Sequence, residues 1–204
     1  QPVVSHRLVP RAQIRREQKR LEEAIVQARD AILDLRNKVL NTLDESHASI
    51  FDPQLMILED PDLLRRTTER IAERQESASL AFMSIIRHDL DRFASVAGEY
   101  FALRQPDILD VANRVCRILA NPTTDGHVLT FNEDVLVLAP DLSPSDTAQM
   151  DHRHVKGFAT ELGGPTSHTA ILAKALEIPA VVGIGPFLRD VPPGCTVIID
   201  GYEG

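Results

Sequence analysis

The residue types best suited to chemistry stand together in one string, Gly163-Gly164-Pro165-Thr166-Ser167-His168. Paired glycines let the backbone approach a ligand closely and take angles closed to other residues. Pro165 then fixes the entry, and either Thr166 or Ser167 can cap the helix predicted to follow. His168 falls in the first turn of that helix. Free N–H groups and partial positive charge at a helix start disfavour imidazolium, so the ring stays neutral and nucleophilic near neutral pH. The same N–H groups and hydroxyls can hold an anion carried by the ring. This setting suits a histidine that accepts a phosphoryl group and passes it on.

Other chemical candidates are weaker. His152 and His154 stand two apart and would share a strand face, but no cysteine or carboxylate cluster accompanies them, so a solvated pair is the simpler reading and no metal site is assigned. His6, His47, His88 and His127 are isolated and are expected at the surface. The two cysteines, Cys116 and Cys195, read as unrelated buried thiols rather than a disulfide.

The elements that must position His168 come from a chain of 204 residues, 43% hydrophobic, with net charge −8. Such acidity argues against nucleic-acid binding and favours a basic partner. No apolar run reaches the length of a membrane span and no signal-peptide pattern opens the sequence, so a cytoplasmic location is the expectation. Both ends read as cut from a longer protein. Residues 10 to 120 read as helical. Ile14, Gln18, Leu21, Ile25, Ala28, Ile32, Leu35 and Val39 recur at alternating spacings of four and three, the seam of a long helix packed along another. That helix is expected to end near Ala48. A short helix then spans Pro53 to Leu58, a third runs from Pro61 past Phe93, and a fourth from Pro106 to Asn121-Pro122. After Gly126 the pattern changes. "DVLVLAP", "VKGFATE", "AVVGIG" and "TVIID" read as strands, "SPSDTAQM" as a capped turn and "TSHTAILAKALEIP" as a helix. Strands alternating with helices imply an α/β sandwich.

The string "GGPTSHTAILAKALEIPAVVG" resembles the phosphohistidine signature of phosphoenolpyruvate-utilising enzymes. The helical "ASIFDPQLMILEDPDLL" and "DILDVANRVCRIL", with "VLVLAPDLSPSDTAQM" before the active loop, resemble the N-terminal half of the enzyme I family of bacterial phosphotransferase systems. The resemblance implies an α/β phosphohistidine (swivelling) domain, residues 1–10 and 123–204, with an all-helical carrier-docking subdomain, 11–122, inserted in it. It implies that His168 is phosphorylated at Nε2 and passes the group to a histidine of the carrier HPr, for sugar uptake. Thr147 matches the threonine that orients the active histidine. Gly163, Gly164, Thr166 and Ser167 would shape the phosphate pocket, and Gln54, Leu55, Met56, Leu58, Glu59 and Leu109 would belong to the docking face. The family's C-terminal domain supplies the phosphoenolpyruvate and Mg2+ sites and the homodimer contacts; this part of it needs no cofactor.

The chain departs from that pattern at several positions. Gln54 replaces a usual histidine, Asp52-Pro53 a usual Glu-Gly or Glu-Ala, and Pro165, Leu109 and Lys174 stand where arginines are common. These departures keep open a nitrogen-related enzyme I paralogue and a regulatory module that docks without transferring phosphate; because two families share the histidine signature, a phosphohistidine domain of the pyruvate phosphate dikinase type is a third reading.

Overall fold

The computed structural model describes residues 8–96, 105–120, 131–143, 146–147, 150–151, 153–164 and 167–201. The chain divides into two compact units. One comprises residues 1–34 and 51–127, the other 35–50 and 128–204.

The first unit is helical. A 3-10 turn, Arg11–Gln13, leads into α1, Ile14–Thr42. The seam read from the sequence is the buried face: Leu21, Ala28 and Ile32 are wholly buried, and Ile25 nearly so. Gln18 lies beside this face and donates to the Thr68 carbonyl. α1 stops at Thr42, short of the expected Ala48. Asp44 then caps a separate short helix α2, Glu45–Ala48, by accepting from the His47 N–H. That bond, with the His47 ring beside it, holds the Asp44 carboxyl below its usual range.

α3 spans Asp52–Leu58, α4 Pro61–Arg74, α5 Ala78–Val96 and α6 Gln105–Ala120. Asp60 caps α4 with Pro61 in its first position, as the sequence indicates. The single helix expected from Pro61 past Phe93 is two helices. Gln75 turns the chain through a left-handed conformation (φ 54°), its carbonyl accepts from the Val9 N–H, and Glu76 bridges Leu8 in antiparallel fashion. Leu8 and Val9 therefore pair within this unit rather than with the α/β sheet. The buried Glu17 of α1 caps α5 from another helix, accepting from the Ala78 N–H. α4 packs on α5, α5 on α6, and α3 on α6.

The second unit holds a parallel sheet in the order β1-β2-β3, with β1 Val135–Ala139, β2 Val155–Thr160 and β3 Ala180–Val181. Parallel pairing requires a crossover, and between β2 and β3 this is α7, His168–Ala175. Phe158, Met150, Val155, Leu142, Ala173 and Ile178 form the core beside the sheet. Gly157 is required inside β2, because a Cβ there would lie 2.8 Å from the Pro179 carbonyl oxygen, which accepts from the Phe158 N–H. α2 packs on α7 within this unit. Residues 35–50 thus belong with the α/β residues, not with the helical subdomain to which the boundaries 11–122 assigned them. "TVIID" forms no strand.

Candidate functional site

The active loop leaves β2 between two backbone ladders. On one side Glu161 and Leu162 donate to the carbonyls of Ala139 (3.2 Å) and Pro140 (2.9 Å). On the other, Gly183, Ile184 and Gly185 donate to the carbonyls of Leu162 (3.3 Å), Thr160 (3.2 Å) and Glu161 (3.0 Å). The Glu161 side chain adds a further tie: its Oε1 accepts from the N–H groups of Phe187 (2.9 Å) and Leu188 (3.0 Å). Gly163 turns the loop at φ +108°, and a Cβ on Gly183 (φ +74°) would sit 2.6 Å from the Gly163 carbonyl oxygen. The close approach that glycine permits is thus backbone on backbone at Gly163 and Gly183. Among the described residues nothing lies within 4 Å of the Cβ position of Gly164.

Ser167 then caps α7. Its backbone is extended (φ −66°, ψ 152°), its N–H donates to the Gly164 carbonyl (2.9 Å) and its Oγ accepts from the Ala170 N–H (3.3 Å). Of the two hydroxyls the sequence offered, Ser167 makes the cap. His168 is the first residue of α7, in the partial positive field of that helix end. Pro165, Thr166, His6, His127, His152 and the His168 side chain lie outside the described residues.

A second segment faces the same helix. Ser143 and Asp146 satisfy each other reciprocally: the Ser143 N–H and hydroxyl donate to Asp146 Oδ2 (3.1 and 2.8 Å), and the Asp146 N–H donates to Ser143 Oγ (3.1 Å). Thr147 is fully buried, and its hydroxyl donates to the Ser143 carbonyl (3.2 Å). One residue earlier, the Leu142 carbonyl accepts from the Thr169 hydroxyl of α7 (2.5 Å).

The expected docking residues divide. Gln54, Leu55 and Leu58 lie in the core of the helical unit, and Gln54 donates to Asp110 Oδ2 (3.1 Å) between α3 and α6. They cannot present side chains to a partner there. Met56, at 73% exposure, and Glu59 face outward, and Leu109 is at the edge of exposure at 36%. The period of 3.6 accounts for this: Phe51, Gln54, Leu55 and Leu58 share one face of α3, and Met56 and Glu59 lie off it. Asp60 and Asp62 extend the exposed acidic run, and Arg65 beside Asp62 holds that carboxyl below its usual range.

Elsewhere, Asp151 is held well below the usual carboxylate range by Arg153, and His154 Nδ1 lies 3.7 Å from Asp134. Among the described residues no group of three or more His, Cys, Asp or Glu side chains could hold a metal ion. Nor is any of their helices long and apolar enough to cross a membrane. Cys116 is buried as expected, but Cys195 is exposed. Sequence reasoning missed Glu161, Thr169 and Gly183. Thr169 had a signal: with Leu172 and Ala173 it completes the i, i+3, i+4 buried face of α7, where a hydroxyl needs a partner.

Residues 1–104 match the family model described as PEP-utilising enzyme, N-terminal, and residues 131–204 match PEP-utilising enzyme, mobile domain. Among curated proteins, a phosphoenolpyruvate-protein phosphotransferase of Geobacillus stearothermophilus is 39% identical over 193 residues, which is 95% of this chain and 33% of that protein. One of Listeria innocua is 39% identical over 204 residues, 100% of this chain and 36% of that protein. The chain therefore spans about a third of the length of these relatives. A solution structure titled Enzyme I (nEIt) is 34% identical with a TM-score of 0.76, over 100% of this chain and 82% of that one. The N-terminal domain of an Enzyme 1 - Nitrogen, 22% identical over 88% of this chain with a TM-score of 0.64, shares the fold.

Proposed function

This chain belongs to the PEP-utilising enzyme family, as an enzyme I-type N-terminal region, and we propose that it is the phosphohistidine part of a phosphoenolpyruvate-protein phosphotransferase. The observation that carries this reading is the placement of His168 as the first residue of α7, behind the Ser167 cap and the Gly163 turn. A neutral imidazole lone pair there attacks phosphorus, an N–P bond forms, and the bond from phosphorus to its former carrier atom breaks. With phosphoenolpyruvate as donor the leaving enolate takes a proton and becomes pyruvate. The phosphorylated ring then passes the group to a histidine of an HPr-type carrier. The cap and free N–H groups of the first turn stabilise the added charge.

Thr147 fits an orienting role. Its hydroxyl proton is engaged by the Ser143 carbonyl, so toward His168 it can only accept. Accepting from one ring nitrogen leaves the lone pair of the other free to attack. Phosphoenolpyruvate, Mg2+ and dimer contacts are assigned to the part of the protein C-terminal to this chain. Exposed Met56, followed by the exposed acidic Glu59 and Asp60, and Leu109 at the edge of exposure, suit a basic carrier with an apolar spot. We place the protein in the cytoplasm with that carrier.

The test is transfer of label from 32P-phospho-HPr to this chain. Acid-labile, base-stable label on His168, lost in His168→Ala with the fold retained, supports the reading. Label that persists in His168→Ala overturns the assignment. Binding of the carrier with no label would favour a docking module, and label from a nitrogen-branch carrier alone would assign that paralogue.

A further inference from the structure

Two consecutive carbonyls hold the two halves of the site. Leu142 accepts from the hydroxyl of Thr169, the residue after His168 in α7. Ser143 accepts from both the N–H and the hydroxyl of Thr147. We infer that Thr169 is a positioning residue for the phosphoryl transfer proposed above, on which this inference rests: through the Leu142–Ser143 peptide it sets the first turn of α7 against Thr147.

The ordinary fate of a helical threonine is different. Thr42, Thr67 and Thr68 donate to carbonyls four residues back in their own helices, Lys38, Leu63 and Leu64. Thr169 is the second residue of its helix and reaches a carbonyl 27 residues away in sequence. It is only 6% exposed, so water does not compete for the bond. The Ser143–Asp146 reciprocal pair fixes the segment that receives it. A shift of α7 along its axis would break the Thr169 bond, while the described hydrogen bonds of Thr147, both to the Ser143 carbonyl, would hold it in place. The Thr169 hydroxyl is thus the described side-chain bond that locks the two together.

The experiment uses this chain with 32P-phospho-HPr as donor and compares wild type with Thr169→Val, Thr169→Ser and Thr169→Ala. Thr169→Val keeps the shape and removes the hydroxyl; Thr169→Ser does the reverse. Thr169→Val should lower the rate of label uptake about tenfold or more with KM for the carrier unchanged, and Thr169→Ser should restore most of it. In two-bond 1H–15N spectra, the His168 ring signals should change in the valine variant and return in the serine variant. Wild-type rates and ring signals in Thr169→Val, or a serine variant as slow as the valine one, would overturn the inference. Should circular dichroism show that Thr169→Val does not fold, Thr169→Ala against Thr169→Ser gives the same comparison. Wild type that takes no label from phospho-HPr or from a phosphorylated nitrogen-branch carrier defeats the phosphotransfer reading instead, and the ring signals alone then decide the role of Thr169.

Discussion

In the helical unit Leu21, Ile32, Ile71, Phe82 and Val111 lose all contact with solvent, whereas in the α/β unit, among the described residues, every residue of β1 is half-buried and the buried cluster beside the sheet gathers around Phe158 and Met150. The helices are held mainly by apolar area, which is non-directional and forgiving of small shifts. The active loop is held by hydrogen bonds among residues 139–140, 160–163 and 183–188, which are directional and tolerate little. Bulk stability and site geometry therefore reside in different units and respond to different substitutions.

The largest break in that division comes from Phe82→Ala. It should cost about 3–5 kcal/mol by opening a cavity in a closed core. Chemical denaturation of the helical unit would read it, while label uptake per folded molecule stays within about twofold of wild type. A drop in uptake to match the stability loss would show that the two units do not divide the work. Gly183→Ala tests the converse. A left-handed alanine costs about 1–2 kcal/mol, and here the added Cβ also meets the Gly163 carbonyl. Transfer should fall about a hundredfold, with the helical unit melting as before.

The two thiols sharpen the contrast at smaller cost. Burial pushes Cys116, in α6, up to about 11 from an ordinary 9.0. As pH rises the unfolded chain loses this proton first. Its contribution to stability is therefore full below pH 9.0 and declines toward about 11, a slope that Cys116→Ala should remove from pH-dependent melting. Exposed Cys195 should react with a thiol reagent in the native state, and Cys116 only on unfolding. The smallest stability effect belongs to Met56→Ala, within about 0.5 kcal/mol of wild type, yet it should raise KM for the carrier. An unchanged KM would move the docking face elsewhere.

The seam of α1, the Pro61 start of α4 and a hydroxyl cap before His168 could be read from sequence because each rests on local spacing or a single cap, although which of Thr166 and Ser167 caps could not. The break at Gln75 could not: no glycine or proline marks it, and its carbonyl is held by Val9, far away in sequence. The end of α1 was misread because Asp44 offers a cap inside a run that is otherwise helical. "TVIID" has strand composition, but a strand exists only where a partner pairs with it. In the site, the histidine string was legible as a type and spacing of residues. The ties of Thr169 to Leu142 and of Glu161 to Phe187 and Leu188 were not, since each joins positions 26 or 27 apart that only the fold brings together.

The Glu161 carboxylate has a consequence for isotope exchange. The amides of Phe187 and Leu188 lie outside any helix or strand, and such amides ordinarily trade hydrogen for deuterium within moments. Here both protons are held by one carboxylate oxygen, so they will exchange only when the Glu161 side chain lets go. They form a slow pair in an otherwise fast stretch, and their clock reports the opening of the active loop without any label on the histidine.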